Sequence, residues 1–182
     1  MIYLITGGVR SGKSAYAEAL ARYFSDEVLY IATLEPSDQE MKSRIAKHQS
    51  RRPEHWRTLE TKFSLAKSIQ ECSEKVVLID CLSGFVSNLI LEYEHSDEDT
   101  VIEKVLQAVS ELAAVLQQTD KTVIVVTNEV GYGVVPPYPL GRWFRDALGL
   151  ANQRIAKVAD GVALVTVGIP QILKGTFPDV SF

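Results

Sequence analysis

Cysteine, net positive charge and long apolar runs are all scarce in this sequence, and each shortage closes off a class of protein. The only cysteines are Cys72 and Cys81, whose number and spacing suit neither a disulfide framework nor a zinc site, so both are expected to be reduced structural thiols. Lysine and arginine total 19 against 23 aspartates and glutamates, a net charge of -4. A general nucleic-acid binder needs a basic surface to displace counterions from phosphates, so no nucleic-acid partner is expected and any nucleotide contact should be local. No apolar run approaches the roughly 20 residues needed to cross a bilayer. The amino terminus passes directly into a strand pattern, with neither a charged leader nor a cleavage site. The expected setting is the cytoplasm, with no membrane span.

What is present is ordinary for a globular chain: 182 residues, 46% hydrophobic and 23% charged, enough to fold as one domain, 1–182, around a core that needs no crosslinks. Short runs rich in Ile, Val and Leu alternate with longer segments of helical period, the pattern of an α/β domain with a mainly parallel, helix-covered sheet. The runs predict strands at Ile2–Thr6, Val28–Thr33, Lys75–Asp80, Thr122–Thr127 and Gly161–Val167. Helices are predicted at about Lys13–Phe24, Asp38–Ser50, Ser64–Ser73, Leu82–Tyr93, Glu98–Thr119 and Leu140–Ala159. In open sheets of this kind ligands bind beyond the carboxyl ends of the strands. The stretch from Gly131 to Gly141, with three prolines and three glycines, reads as a loop within the domain.

Gly7-Gly8-Val9-Arg10-Ser11-Gly12-Lys13-Ser14 matches G-x-x-x-x-G-K-[ST] between a predicted strand and a predicted helix, the context that makes it a phosphate-binding loop. Glycines let the loop wrap closely around phosphate oxygens and aim successive N–H groups at them, and the helix adds its positive end. Lys13 should reach the β and γ phosphates of a nucleoside triphosphate, and the Ser14 hydroxyl should ligate Mg2+. The run Val76-Val77-Leu78-Ile79 ends in Asp80, where a carboxylate either holds magnesium or merely caps the next helix. The fold class is therefore a P-loop NTPase of RecA-like type.

Two further segments carry polar groups. From Lys42 to Arg57 there are six basic residues and one acid, an island suited to an anionic ligand such as triphosphate. Ser37-Asp38-Gln39-Glu40 is a capping box that would start a helix there, with Met41, Ile45 and His48 on one face beside a stripe of Arg44, Lys47 and Arg51. By spacing alone His48 is either a packed core histidine or a ligand-facing one. Thr127-Asn128-Glu129-Val130-Gly131 ends an otherwise apolar strand, as substrate-holding groups or as a capped turn. In the late helix Phe144, Leu148, Ala151, Ile155 and Val158 make a core stripe, with Arg142, Asp146, Gly149 and Gln153 opposite it. A regulatory GTPase switch would carry Asn-Lys-x-Asp and Asp-x-x-Gly, whereas the nearest segments read Thr127-Asn128-Glu129-Val130 and Asp80-Cys81-Leu82-Ser83.

Together these motifs resemble the bifunctional adenosylcobinamide kinase and adenosylcobinamide-phosphate guanylyltransferase family of cobalamin biosynthesis. The resemblance rests on the P-loop, on Tyr30-Ile31-Ala32-Thr33, on Asp38-x-Glu40-Met41-x-x-Arg44-Ile45-x-x-His48, and on Arg52-Pro53-x-x-Trp56-Arg57-Thr58-x-Glu60. It continues through Thr127–Pro136 and through Arg142-x-Phe144-Arg145-Asp146-x-x-Gly149-x-x-Asn152-Gln153. Val9, where alanine is usual, and Ser83-Gly84-Phe85 depart from the family pattern without removing a catalytic group. The resemblance implies two reactions: ATP or GTP phosphorylates the aminopropanol hydroxyl of adenosylcobinamide, and GTP then guanylylates a histidine that passes GMP to the phosphorylated corrinoid. It implies that His48 is that nucleophile, acting with Lys13. It further implies nucleotide contacts from Ala32, Thr33, Leu34, Gln49, Ser50, Arg51, Arg52, Glu60 and Asp80, besides Gly7 to Ser14. The partners it implies are GTP or ATP and a corrinoid, in a homotrimer. A monofunctional small-molecule kinase, with His48 incidental, is the alternative.

Overall fold

The computed structural model of the chain describes residues 1–34 and 53–182. All the described strands join one seven-stranded sheet in the order β3-β2-β4-β5-β1-β6-β7. The strands are β1 (Ile2–Gly7), β2 (Val28–Ala32), β3 (Arg57–Glu60), β4 (Val76–Asp80), β5 (Thr122–Val126), β6 (Gly161–Thr166) and β7 (Ile169–Lys174). Every neighbouring pair is parallel except β6 and β7. The described helices are α1 (Lys13–Phe24), α2 (Leu65–Glu71), α3 (Leu82–Glu92), α4 (Glu98–Gln118) and α5 (Pro139–Val158).

The apolar runs are continuous because both faces of the central strands are covered. Successive side chains point to opposite faces: Ile2 and Leu4 of β1, Val77 and Ile79 of β4, and Val123 and Val125 of β5 join one core with α2 to α5. Tyr3 and Ile5, Val76 and Leu78, and Ile124 and Val126 join a second core with α1, Trp56 and Phe177. The predicted stripe on α5 is present, with Leu148, Ala151 and Ile155 buried and Phe144 and Val158 partly so; Ala147 is buried beside them. Cys81 is buried, Cys72 is half-buried, and both are free thiols.

Five strands and five helices fall within a few residues of their predicted positions, and two strands were not predicted. β3 is a short, mostly exposed edge strand paired with β2. β7 turns back antiparallel on β6 through Val167-Gly168, both at positive φ (48° and 80°), which is the twist a two-residue hairpin needs. The predicted helix Asp38–Ser50, with His48, lies outside the described residues. No helix among the described residues is long and apolar enough to cross a membrane.

Candidate active site

The parallel register brings one row of strand ends to the carboxyl edge of the sheet. Glu60 pairs with Ala32, Ala32 with Asp80, and Asp80 with Val126. On the other side of β5, β1 runs out at Gly7 into the glycine turn and then into α1. Gly12 is the N-cap of α1 at φ 98°, a conformation that L side chains rarely adopt. It also lies against the hairpin of β6 and β7: a Cβ on Gly12 would come within 3.2 Å of Gly168 Cα, and Gly168 N donates to Ser11 O at 2.7 Å. Position 12 is therefore glycine for two independent reasons.

Lys13 and Ser14 occupy the first turn of α1, where N–H groups are left without helical partners. Lys13 Nζ donates to Gly8 O at 3.0 Å, across the top of the turn. Burial lowers the pKa of Lys13, and the nearby Asp80 carboxylate works in the opposite sense. Asp80 accepts a hydrogen bond from the Tyr30 hydroxyl at 2.8 Å, which fixes one carboxylate oxygen. Val9 and Arg10 are exposed on the turn, while Thr6 Oγ1 and Ser11 Oγ are buried below it with no hydrogen-bond partner among the described residues.

Two buried threonines latch this edge. Thr33 Oγ1 donates to Cys81 O (2.7 Å) and accepts from Cys81 N (3.0 Å), tying the end of β2 to the residue after Asp80. Asn88 of α3 donates to Thr33 O at 2.8 Å, and Cys81 caps α3 by accepting from Gly84 N. Thr127 Oγ1 donates to Asn152 Oδ1 of α5 (2.7 Å), and Asn152 Nδ2 returns to Asn128 O at 3.1 Å. The Thr127 hydroxyl is thus spent inward on α5, whereas Asn128 and Glu129 remain half-exposed at the edge. Glu129 N donates to Gly7 O at 3.2 Å and so joins this segment to the P-loop.

The structure brings together Gly7 to Ser14, Ala32, Thr33, Leu34, Glu60 and Asp80 at one edge; Gln49, Ser50, Arg51 and Arg52 lie outside the described residues with His48. Asn88 was not singled out in the sequence, and Asn152 entered only as part of the family pattern with no role assigned, because their partners lie 55 and 25 positions away in sequence. Among the described residues no cluster of three or more His, Cys, Asp or Glu side chains could hold a metal by itself. Magnesium in phosphate sites needs only one or two protein oxygens besides phosphates and water, and the Ser14 hydroxyl with the Asp80 carboxylate has that composition.

The sequence matches the family described as cobinamide kinase / cobinamide phosphate guanyltransferase over residues 3–173. It is 42% identical over 177 residues to the bifunctional adenosylcobalamin biosynthesis protein CobU of Escherichia coli (strain K12), covering 93% of this chain and 97% of that one. It is 41% identical over 174 residues to the bifunctional adenosylcobalamin biosynthesis protein CobP of Pseudomonas aeruginosa, covering 94% and 96%. Among solved structures, the RadB recombinase is similar at 13% identity and a TM-score of 0.48, covering 90% of this chain and 73% of that one.

Proposed function

This chain belongs to the cobinamide kinase / cobinamide phosphate guanyltransferase family, and from that premise we propose how its residues divide the two transfers. In the kinase step the P-loop amides and Lys13 bind the β and γ phosphates of ATP or GTP. The aminopropanol hydroxyl of adenosylcobinamide attacks the γ-phosphorus and gives up its proton to solvent, the bond from the γ-phosphorus to the bridging oxygen breaks, and the nucleoside diphosphate leaves. Ser14 and Asp80 hold Mg2+, which when bound neutralises charge on the phosphate oxygens. Tyr30 orients Asp80 for this through the bond to its carboxylate.

In the second step a neutral nitrogen of His48 attacks the α-phosphorus of GTP and pyrophosphate leaves. A phosphate oxygen of the phosphorylated corrinoid then displaces the imidazole, giving adenosylcobinamide-GDP and restoring the histidine. Ala32, Thr33, Leu34, Gln49, Ser50, Arg51, Arg52 and Glu60 complete the nucleotide site, with the cationic groups absorbing developing phosphate charge. The Thr33 hydroxyl is engaged with Cys81, its N–H with Asp80 O and its carbonyl with Asn88, so Thr33 serves the nucleotide by holding this edge in shape. The working unit is a homotrimer of single catalytic domains in the cytoplasm.

The observation that carries this reading is the glycine turn between β1 and α1 with Lys13 folded over it and Asp80 at the same sheet edge. The test uses GTP labelled in the α-phosphate. Wild-type protein should acquire an acid-labile covalent label that His48→Ala cannot form, while Lys13→Ala loses both label and kinase turnover. A wild type that phosphorylates cobinamide yet never takes up label would leave only a monofunctional kinase. A Lys13→Ala protein with full turnover would remove the P-loop from the mechanism.

A further inference from the structure

We propose that the loop Tyr132–Tyr138 is the seat of the corrinoid body, so that the P-loop and this apolar rim together bind the kinase substrates; this rests on the family reading above. The loop continues directly from the segment bonded to the P-loop, since Glu129 N reaches Gly7 O. Its side chains serve the fold very little: Val134 is 96% exposed, Tyr132 89%, Tyr138 61% and Val135 58%. Contiguous exposed apolar groups beside a site mark a binding surface.

The rim is also held in place. Gly131 N donates to Glu129 Oε1 at 2.7 Å at its start, and Arg142 Nη1 donates to Pro136 O at 3.2 Å at its end. Pro136 and Pro137 fix two of the intervening φ angles. A landing surface pre-organised in this way loses little entropy on binding.

Charge selects the occupant. From Val130 to Leu140 there is no charged residue, which suits neither a triphosphate nor any other anion. A cobinamide presents a broad, largely apolar macrocycle fringed with neutral amides, and its reactive hydroxyl hangs from one arm. That hydroxyl has to reach the γ-phosphate at the P-loop while the macrocycle, too large for the glycine turn, rests beside it. The loop is an apolar surface that meets the turn through Glu129, with charged side chains only at its two ends, Glu129 and Arg142.

The test compares Tyr132→Ala, Val134→Asp and Val134→Ser with wild type in the kinase assay, and by equilibrium dialysis against cobinamide with a non-hydrolysable nucleotide present. Val134 is so exposed that Val134→Ser leaves the fold intact. The KM for cobinamide should rise about tenfold or more for Tyr132→Ala and Val134→Asp, the effect of losing one large apolar contact. Cobinamide retention should fall in parallel, with the nucleotide KM and the mass of the assembly unchanged. Unchanged cobinamide KM and retention would overturn the proposal. So would a fall in the mass of the assembly, which would make the loop a contact between copies of this chain. If wild type itself neither binds nor phosphorylates cobinamide, the family-based function fails as well; if wild type does both and the loop variants behave like it, the function stands and the corrinoid lies elsewhere.

Discussion

Gly84→Ala should damage the nucleotide site from behind. Gly84 sits in the first turn of α3, where a Cβ would lie 2.4 Å from Thr33 Oγ1 and 2.8 Å from Leu34 Cγ. Neither contact is tolerable, so the Thr33 hydroxyl or the helix turn must move. If the hydroxyl moves, its two bonds to Cys81 are lost, at about 1 kcal/mol each. Crowding against Leu34, an exposed side chain that can turn aside, adds about 1 kcal/mol, the low end for an overpacked site, so the total is on the order of 3 kcal/mol. For a chain of this size that corresponds to a fall in Tm of roughly 6–12 °C. Because Cys81 follows Asp80 directly, the nucleotide KM should rise too. Urea unfolding gives the stability term, and the double variant Gly84→Ala/Thr33→Ala isolates the cause: deleting the obstructing hydroxyl should make the pair cost less than the sum by about 1 kcal/mol or more. A Gly84→Ala protein with the wild-type urea midpoint, or strictly additive single and double variants, would refute the reasoning.

Two further outcomes concern the sheet edges. Val167 is a β-branched residue at φ 48° and 83% exposed, so Val167→Asn, which accepts this conformation and precedes Gly168, should raise stability by about 1 kcal/mol in urea unfolding; a neutral or lower value would show that the turn is not strained. Arg57 of β3 holds Glu74 in a two-pronged pair (2.5 and 2.8 Å) that lowers the Glu74 pKa from 4.5 to about 2. A depressed carboxylate pKa stabilises the fold fully above the unfolded value and loses that contribution as pH falls from about 4.5 through about 2. With Arg57 half-exposed the effect is screened to about 1 kcal/mol. The stability gap between wild type and Glu74→Gln should therefore close over that window, and a gap independent of pH would exclude the pair as its source.

The parts legible in the sequence are those written in local pattern. The five inner strands announce themselves as runs rich in Val, Ile and Leu because both their faces are covered, and the P-loop is fixed by its glycine spacing between a strand and a helix. β3 had no such signature: Arg57-Thr58-Leu59-Glu60 is four residues long, mostly exposed, and reads as loop until β2 supplies its partner. β7 carries Pro170 and follows a hairpin whose first turn residue is valine, where asparagine or glycine would have flagged it. Within the site, the glycines and the lysine could be placed by motif, whereas Asp80 was marked only by its position at a strand end. The destinations of the Thr33 and Thr127 hydroxyls could not, because they depend on how α3 and α5 pack across the sheet.

Those two hydroxyls have a consequence for how such an enzyme can change over time. Each fastens a strand end to the backbone or helix behind it, so the floor beneath the phosphates is stiffened independently of whatever stands around its rim. Insertions, deletions and drift in the surrounding walls can then accumulate without tilting Asp80 or the glycine turn, and new acceptor molecules can be tried while the phosphate chemistry stays in register.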